Sequence, residues 1–96
     1  MRVLEHAVED RYCRLVSQWG CVAVKIYMRD WPDRLVVLPN GLMFFCELKR
    51  PGEKPRVRQR RIHQMLAGMG HDVFVFDGRD WPAAAAHLQE WLSRNV

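Results

Sequence analysis

No stretch of roughly eighteen uninterrupted apolar residues occurs in this 96-residue sequence, which excludes a membrane-spanning helix. Nothing at its start has the charged, then apolar, then small-residue order of a secretory leader. Cysteine is scarce. Cys13, Cys21 and Cys46 are odd in number and widely spaced, and no two have zinc-ligand spacing. Cys21 and Cys46 sit in apolar runs and read as small core residues, as expected in a reducing cytoplasm. His6, His63, His71 and His87 show no mutual ligand spacing, so no catalytic histidine is expected. No repeat of solenoid period is present. Arg-Asp-Trp-Pro occurs at 29–32 and again at 79–82, but helix capping explains the second copy and the match is read as coincidence.

What is present is enough for one small domain over residues 1–96, with a hydrophobic fraction of 49%. The net charge is +4, and its distribution says more than its total. Lys49, Arg50, Lys54, Arg56, Arg58, Arg60 and Arg61 supply seven of the fifteen Lys and Arg within thirteen residues, opposed there only by Glu53. Such a run is expected to contact phosphates.

The spacing predicts the order α-β-β-β-α-β-α. Residues 2–18 read as a helix with Leu4, Val8, Tyr12, Leu15, Val16 and Trp19 in one stripe. Strands are expected at 21–28, 33–38, 42–49 and 72–77. Helices are expected at 56–68, with Ile62, Met65, Leu66 and Met69 as its apolar stripe, and from the Asp80 cap to Ser93. Together these make one mixed sheet with helices packed on it.

The turn at Pro39-Asn40-Gly41 decides a register. A two-residue Asn-Gly loop would set Asp33 across from Leu48, leaving Asp33 and Glu47 on opposite faces. Proline suits the second position of a type I turn, with Gly41 in the left-handed position that follows. That three-residue loop pairs Leu38 with Leu42 and places Asp33 across from Glu47 on one face. Facing side chains in such a ladder are roughly 5 Å apart at Cβ, close enough to share a divalent ion. Lys49, two residues beyond Glu47, points the same way. The run Leu42-Met-Phe-Phe-Cys and Leu48 is apolar on both faces, as in a covered central strand, where charges are rare unless paired or metal-bound. Two carboxylates, an oxygen-liganded divalent metal and a lysine are the parts of a phosphodiester-cleaving site.

The segment from Pro32-Asp33 through Leu38-Pro39-Asn40-Gly41 to Phe45-Cys46-Glu47-Leu48-Lys49 resembles the VRR-NUC domain of the PD-(D/E)XK nuclease superfamily. The likeness continues through Pro51-Gly52, Lys54-Pro55-Arg56, Gln59, Gly70 and the strand Val73 to Phe76. It implies a restriction-endonuclease-like αβββαβ core: a mixed four-stranded sheet flanked by helices. It also implies Mg²⁺- or Mn²⁺-dependent cleavage of DNA, with similarity to Holliday-junction resolvases. Standalone domains of this length are typical of phages and prophages, which implies action in the host cytoplasm.

Carried onto this sequence, the resemblance makes Asp33 and Glu47 metal ligands, with the Leu48 carbonyl as a third. Lys49 would position water or stabilise developing charge, and Gln59 would be an accessory site residue. A helix-one acid is also implied. The eleven-residue gap to Gly20 favours Glu9 as a metal contact, whereas helical phase favours Glu5; Glu9 is preferred. Trp31 stands where many members carry glycine before Pro-Asp. Arg50, Lys54, Arg56, Arg58, Arg60 and Arg61 are assigned to DNA. The expected activity is a structure-selective endonuclease on junction or flap DNA, working as a homodimer whose two-fold axis matches a two-strand substrate. The alternatives are a non-catalytic DNA-binding subunit and a less structure-selective nuclease.

Overall fold

A computed structural model of the protein describes residues 5–94. Helix α1 spans Glu5–Gln18, strand β1 Val22–Lys25, strand β2 Arg34–Val37 and strand β3 Met43–Leu48. Helix α2 spans Val57–Gly68, strand β4 Val73–Phe76 and helix α3 Trp81–Leu92. The sheet order is β1-β2-β3-β4; β1–β2 and β2–β3 are antiparallel and β3–β4 parallel, joined through α2. This is the α/β, restriction-endonuclease-like architecture that the sequence predicts.

The two faces of β3 have different coverings. Phe44, Cys46 and Leu48 are buried with Val8, Tyr12 and Val16 of α1 and with Ala84 and Leu88 of α3. Phe74 and Phe76 of β4 join that side, where the Tyr12 ring lies 6.4 and 6.1 Å from theirs. Alternation sends Phe45, Glu47 and Lys49 to the opposite face, where α2 lies.

Several expected boundaries shift. The strand expected to reach residue 28 ends at Lys25. Beyond it the Ile26 N–H still donates to the Asp33 carbonyl, but Met28 then accepts from Trp31 N–H and Asp30 takes φ +66, which turns the chain sharply. Leu4 of the predicted stripe lies outside the described residues. Trp19 is 43% exposed, because it falls in the turn after α1 rather than on its buried side. The stripe expected on α2 holds only in part. Ile62 and Leu66 face the sheet, but Met65 and Met69 are 40% and 66% exposed, and the seam is completed by Gln59 and His63, giving i, i+3, i+4 and i+7.

Asp80 caps α3 by accepting from Ala83 N–H, with Pro82 in the first turn, as its sequence predicts. The turn before it brings backbone very close to α1. A Cβ on Gly78, which has φ +83, would stand 2.8 Å from a Val8 methyl. Only glycine lets α1 settle this deeply against the end of β4.

Candidate active site

Leu38 N–H donates to the Leu42 carbonyl at 2.9 Å, and Val37 pairs with Met43. The connection is therefore the three-residue loop, with both Asn40 and Gly41 at positive φ where the turn chemistry predicted only Gly41 there. The register Arg34 to Cys46, continued one step, sets Asp33 opposite Glu47. Asp33 faces β1 with its backbone, since its carbonyl accepts from Ile26 N–H. Glu47 lies between Phe45 and Lys49, whose N–H groups donate to Asp72 and Phe76 on the β4 side. Asp33 and Glu47 thus form a non-hydrogen-bonded pair, the kind whose side chains approach most closely, with Cα atoms about 4.5 Å apart.

The same alternation turns the Leu48 backbone toward Asp33. Leu48 N–H donates to Asp33 Oδ2 at 2.8 Å, which locks that carboxylate beside β3. In this ladder a residue's carbonyl points to the same neighbour as its N–H, so the Leu48 carbonyl faces the Asp33 side as well.

Glu47 is fully buried and Lys49 only 3% exposed. Isolated charges in such a place cost several kcal/mol, so each needs partners. Lys49 Nζ lies 3.8 Å from Glu47 Oε2 and 3.8 Å from Glu53 Oε1. Gln59 Nε2 donates to Glu47 Oε2 at 3.4 Å, while Gln59 Oε1 accepts from Arg56 N–H at 2.8 Å. One side chain therefore both closes the first turn of α2 and touches the buried acid. His63 Nε2 lies 3.2 Å from Glu47 Oε1. Burial, and next the Lys49 ammonium, push the His63 pKa down.

Glu47 itself is pushed up to about 8. Burial is the largest cause, followed by the charge and hydrogen bonding of Asp33, with Lys49 pulling the other way. A buried acid this reluctant to ionise beside a second carboxylate is short of positive charge. Hard oxygen donors short of positive charge fit Mg²⁺ or Mn²⁺. Among the described residues no cluster of three or more His, Cys, Asp and Glu side chains could hold a metal. The donor set available is two carboxylates and a backbone carbonyl, and Mg²⁺ commonly takes one or two carboxylates and keeps water for the rest.

The acids of α1 divide. Glu9 Oε2 accepts from Lys25 Nζ and Arg34 Nε, both at 2.8 Å. Those two cations hold its pKa down despite burial. Glu9 is the preferred helix-one acid by spacing, yet it is committed to this ion pair on β1 and β2 rather than gathered with Asp33 and Glu47. Glu5, one turn earlier, is the α1 acid felt by the site. Burial raises its pKa most, and Lys49, Asp33 and Glu53 are its next strongest influences. The residue gap and the helical phase thus point to different acids, because the gap counts residues without regard to which side of the helix they take.

His63 is the neighbour that sequence reasoning missed. Its signal was present: it lies four residues after Gln59 and three before the buried Leu66, on one side of the helix. Of the basic run, Lys54, Arg56, Arg58, Arg60 and Arg61 are exposed along the start of α2. Arg50 is half-buried and ion-paired to Glu53 at 2.8 Å, so part of its charge is spent on the loop that carries it. Arg56 reaches Asp30 at 3.6 Å. Trp31 packs its edge on Phe45, 6.2 Å between centroids, and the next residue, Pro32, is fully buried.

A parallel β3–β4 pair carrying an acid-x-lysine, met by an acid from the preceding strand, defines a restriction-endonuclease-like protein. No family model matches the sequence. The chain is 43% identical over 84 residues to "Putative nuclease p44" of Acyrthosiphon pisum secondary endosymbiont phage 1, a match covering 83% of this chain and 90% of that protein. Among solved structures it is similar to a VRR_NUC domain, with a TM-score of 0.78, 25% identity, and 91% of this chain and 96% of that chain covered. The chain belongs to the VRR-NUC nuclease family.

Proposed function

We propose that the protein is a divalent-metal-dependent DNA endonuclease selective for branched or flapped DNA. The observation that carries this reading is the pairing of Asp33 with Glu47 across β2 and β3, with Lys49 on the same face. In it Asp33, Glu47 and the Leu48 carbonyl hold Mg²⁺ or Mn²⁺. Such an ion lowers the pKa of water and offsets charge on the scissile phosphate. Lys49 orients the attacking water and faces the charge that develops as the phosphodiester bond breaks. Gln59 and His63 orient the Glu47 carboxylate from α2, as the groups behind a ligand often do. Glu5, rather than Glu9, approaches the site from α1 through water.

Lys54, Arg56, Arg58, Arg60 and Arg61 contact DNA phosphates along the exposed side of α2. A homodimer is supported by a strip of apolar surface on the same sheet face. Val22 lies beside Val37, and Val37 beside Met43. They are 60, 39 and 49% exposed, with Val24 on the same face at 45%. A second copy would cover that strip and present two sites to a two-stranded junction. The phage origin of the relative supports action inside a bacterial host. Among the described residues no helix is long and apolar enough to cross a membrane.

The test is incubation of a four-way junction, a flap and a linear duplex with Mg²⁺ or Mn²⁺, using wild type and Glu47→Ala. Cleavage by wild type alone, faster on the branched substrates, is expected. Binding without cutting under either metal would leave a DNA-binding subunit instead. Cutting retained by Glu47→Ala would remove the site assignment.

A further inference from the structure

Outside the basic run, two arginines on α1 stand without an ion-pair partner among the described residues. Arg11 and Arg14 are three residues apart, exposed and on one side of the helix. They line a groove of about 610 Å³ between α1 and α3, with Gln18 and Trp81. Among the described residues no carboxylate lines it. The Arg11 guanidinium lies 4.2 Å over the Trp81 ring. Trp81 in turn sits edge-on to Phe76 at 4.7 Å, so the stack rests on the core. A planar cation on a fixed aromatic ring makes a stacking platform, and Arg14 beside it is a cation free to meet an anion.

This groove is connected to the catalytic end of the sheet. A smaller one shares Arg11 and Trp81 with it and continues past Gly78 to Pro51. Pro51 is two residues beyond Lys49, and Lys49 N–H is bonded to the end of β4. The track therefore begins at Pro51, close in sequence to Lys49, and runs between α1 and α3, on the side of the sheet opposite α2.

We propose that the α1–α3 groove takes a single-stranded arm of the DNA substrate, with bases against the Arg11–Trp81 stack and phosphate on Arg14. The proposal rests on the nuclease reading above. Stacking is indifferent to sequence, because every base has a π-face, and an unpaired strand alone exposes that face. A duplex lying on α2 has its bases covered, so the two basic regions take different parts of one branched molecule. The groove thus provides a physical basis for choosing flapped over linear DNA.

The experiment measures fluorescence anisotropy for a duplex with a single-stranded arm and for the same duplex blunt, both in EDTA to prevent cutting. The readout is the ratio of the two affinities for wild type, Arg14→Glu and Gln18→Glu, with melting temperatures to verify folding. Both variants are expected to lower the armed-over-blunt ratio, Arg14→Glu by about fivefold or more. Arg14→Lys, which keeps the charge, is expected to recover much of it. A ratio unchanged by both acidic variants overturns the groove assignment while leaving the nuclease reading intact. Wild type that neither binds nor cuts any DNA overturns both.

Discussion

Toward its C-terminal end strand β3 has two buried faces that differ in almost everything except burial. Phe44, Cys46 and Leu48 face α1 and α3, with 1, 0 and 0% exposure. Glu47 and Lys49, 0 and 3% exposed, face the other way among Gln59, His63 and Asp33. The apolar face gains stability from leaving water, at roughly 25 cal/mol per Å². The charged face loses stability for the same reason and keeps its charges through placed partners. One six-residue strand thus separates the work of holding the fold from the work of chemistry, by alternation alone.

The largest effect should fall on the charged face and on activity. Lys49→Ala is expected to reduce cleavage per folded molecule about 10³-fold, the loss typical of one group facing developing charge, while the chain still folds because Glu47, left without that cation, keeps its proton. A parallel loss of folding, seen by circular dichroism, would mean that this face is structural after all. Next, Phe44→Ala on the apolar face is expected to cost about 3–5 kcal/mol in denaturant unfolding, since it empties a site ringed by His87 and Trp91. Cleavage per folded molecule should survive it at low temperature.

Glu47→Gln sharpens the contrast, because it should stop cleavage yet stabilise the metal-free protein. The sign follows from the raised pKa. Folded Glu47 holds its proton up to about 8, while the unfolded chain releases it near the ordinary glutamate value of 4.5. Between those values the native state binds more protons, so metal-free stability falls as pH rises through that window. Removing the acid should recover on the order of 1–3 kcal/mol at pH 8 and little at pH 4. Urea melts of both proteins at the two pH values check it, and an equal gain at both would remove the ionisation argument.

The smallest effect separates the two acids of α1. Glu9→Gln should cost about 1 kcal/mol of stability by releasing Lys25 and Arg34. Glu9 has a lowered pKa, so that contribution is present above the unfolded value and is lost as pH falls through the folded one. Glu5→Gln should leave stability alone and slow cleavage by about tenfold, as expected of a group acting through water. The reverse pattern would return the site role to Glu9.

Local chemistry made much of this legible. Pro39-Asn40-Gly41 could close only certain turns, and the choice of turn set the partner of Asp33 five pairs beyond Leu38–Leu42. The apolar letters around Glu47 identified a covered strand, and a charge in such a strand has few explanations. What escaped was phase across elements. Met65 and Met69 look like part of the buried side of α2 with Ile62 and Leu66, but the helix is rotated so that His63 joins Gln59 at Glu47, because a buried carboxylate gains more from donors than a sheet edge gains from thioethers. His63 has no ligand spacing with any other histidine because its partner lies on another element.

Sequence alone was sufficient for the order of elements, for the β2–β3 register and hence for Asp33, Glu47 and Lys49 sharing a face. These follow from turn geometry and strand alternation, which act over a few residues. Packing of α1 and α2 onto the sheet was needed to separate Glu5 from Glu9 and to bring His63 to Glu47. It was also needed to open the Arg11–Trp81 groove, since 70 residues separate those two side chains in the chain. Helix rotation depends on all the contacts along a face at once, down to Gly78, where a Cβ would stand 2.8 Å from a Val8 methyl, and no single segment encodes that sum.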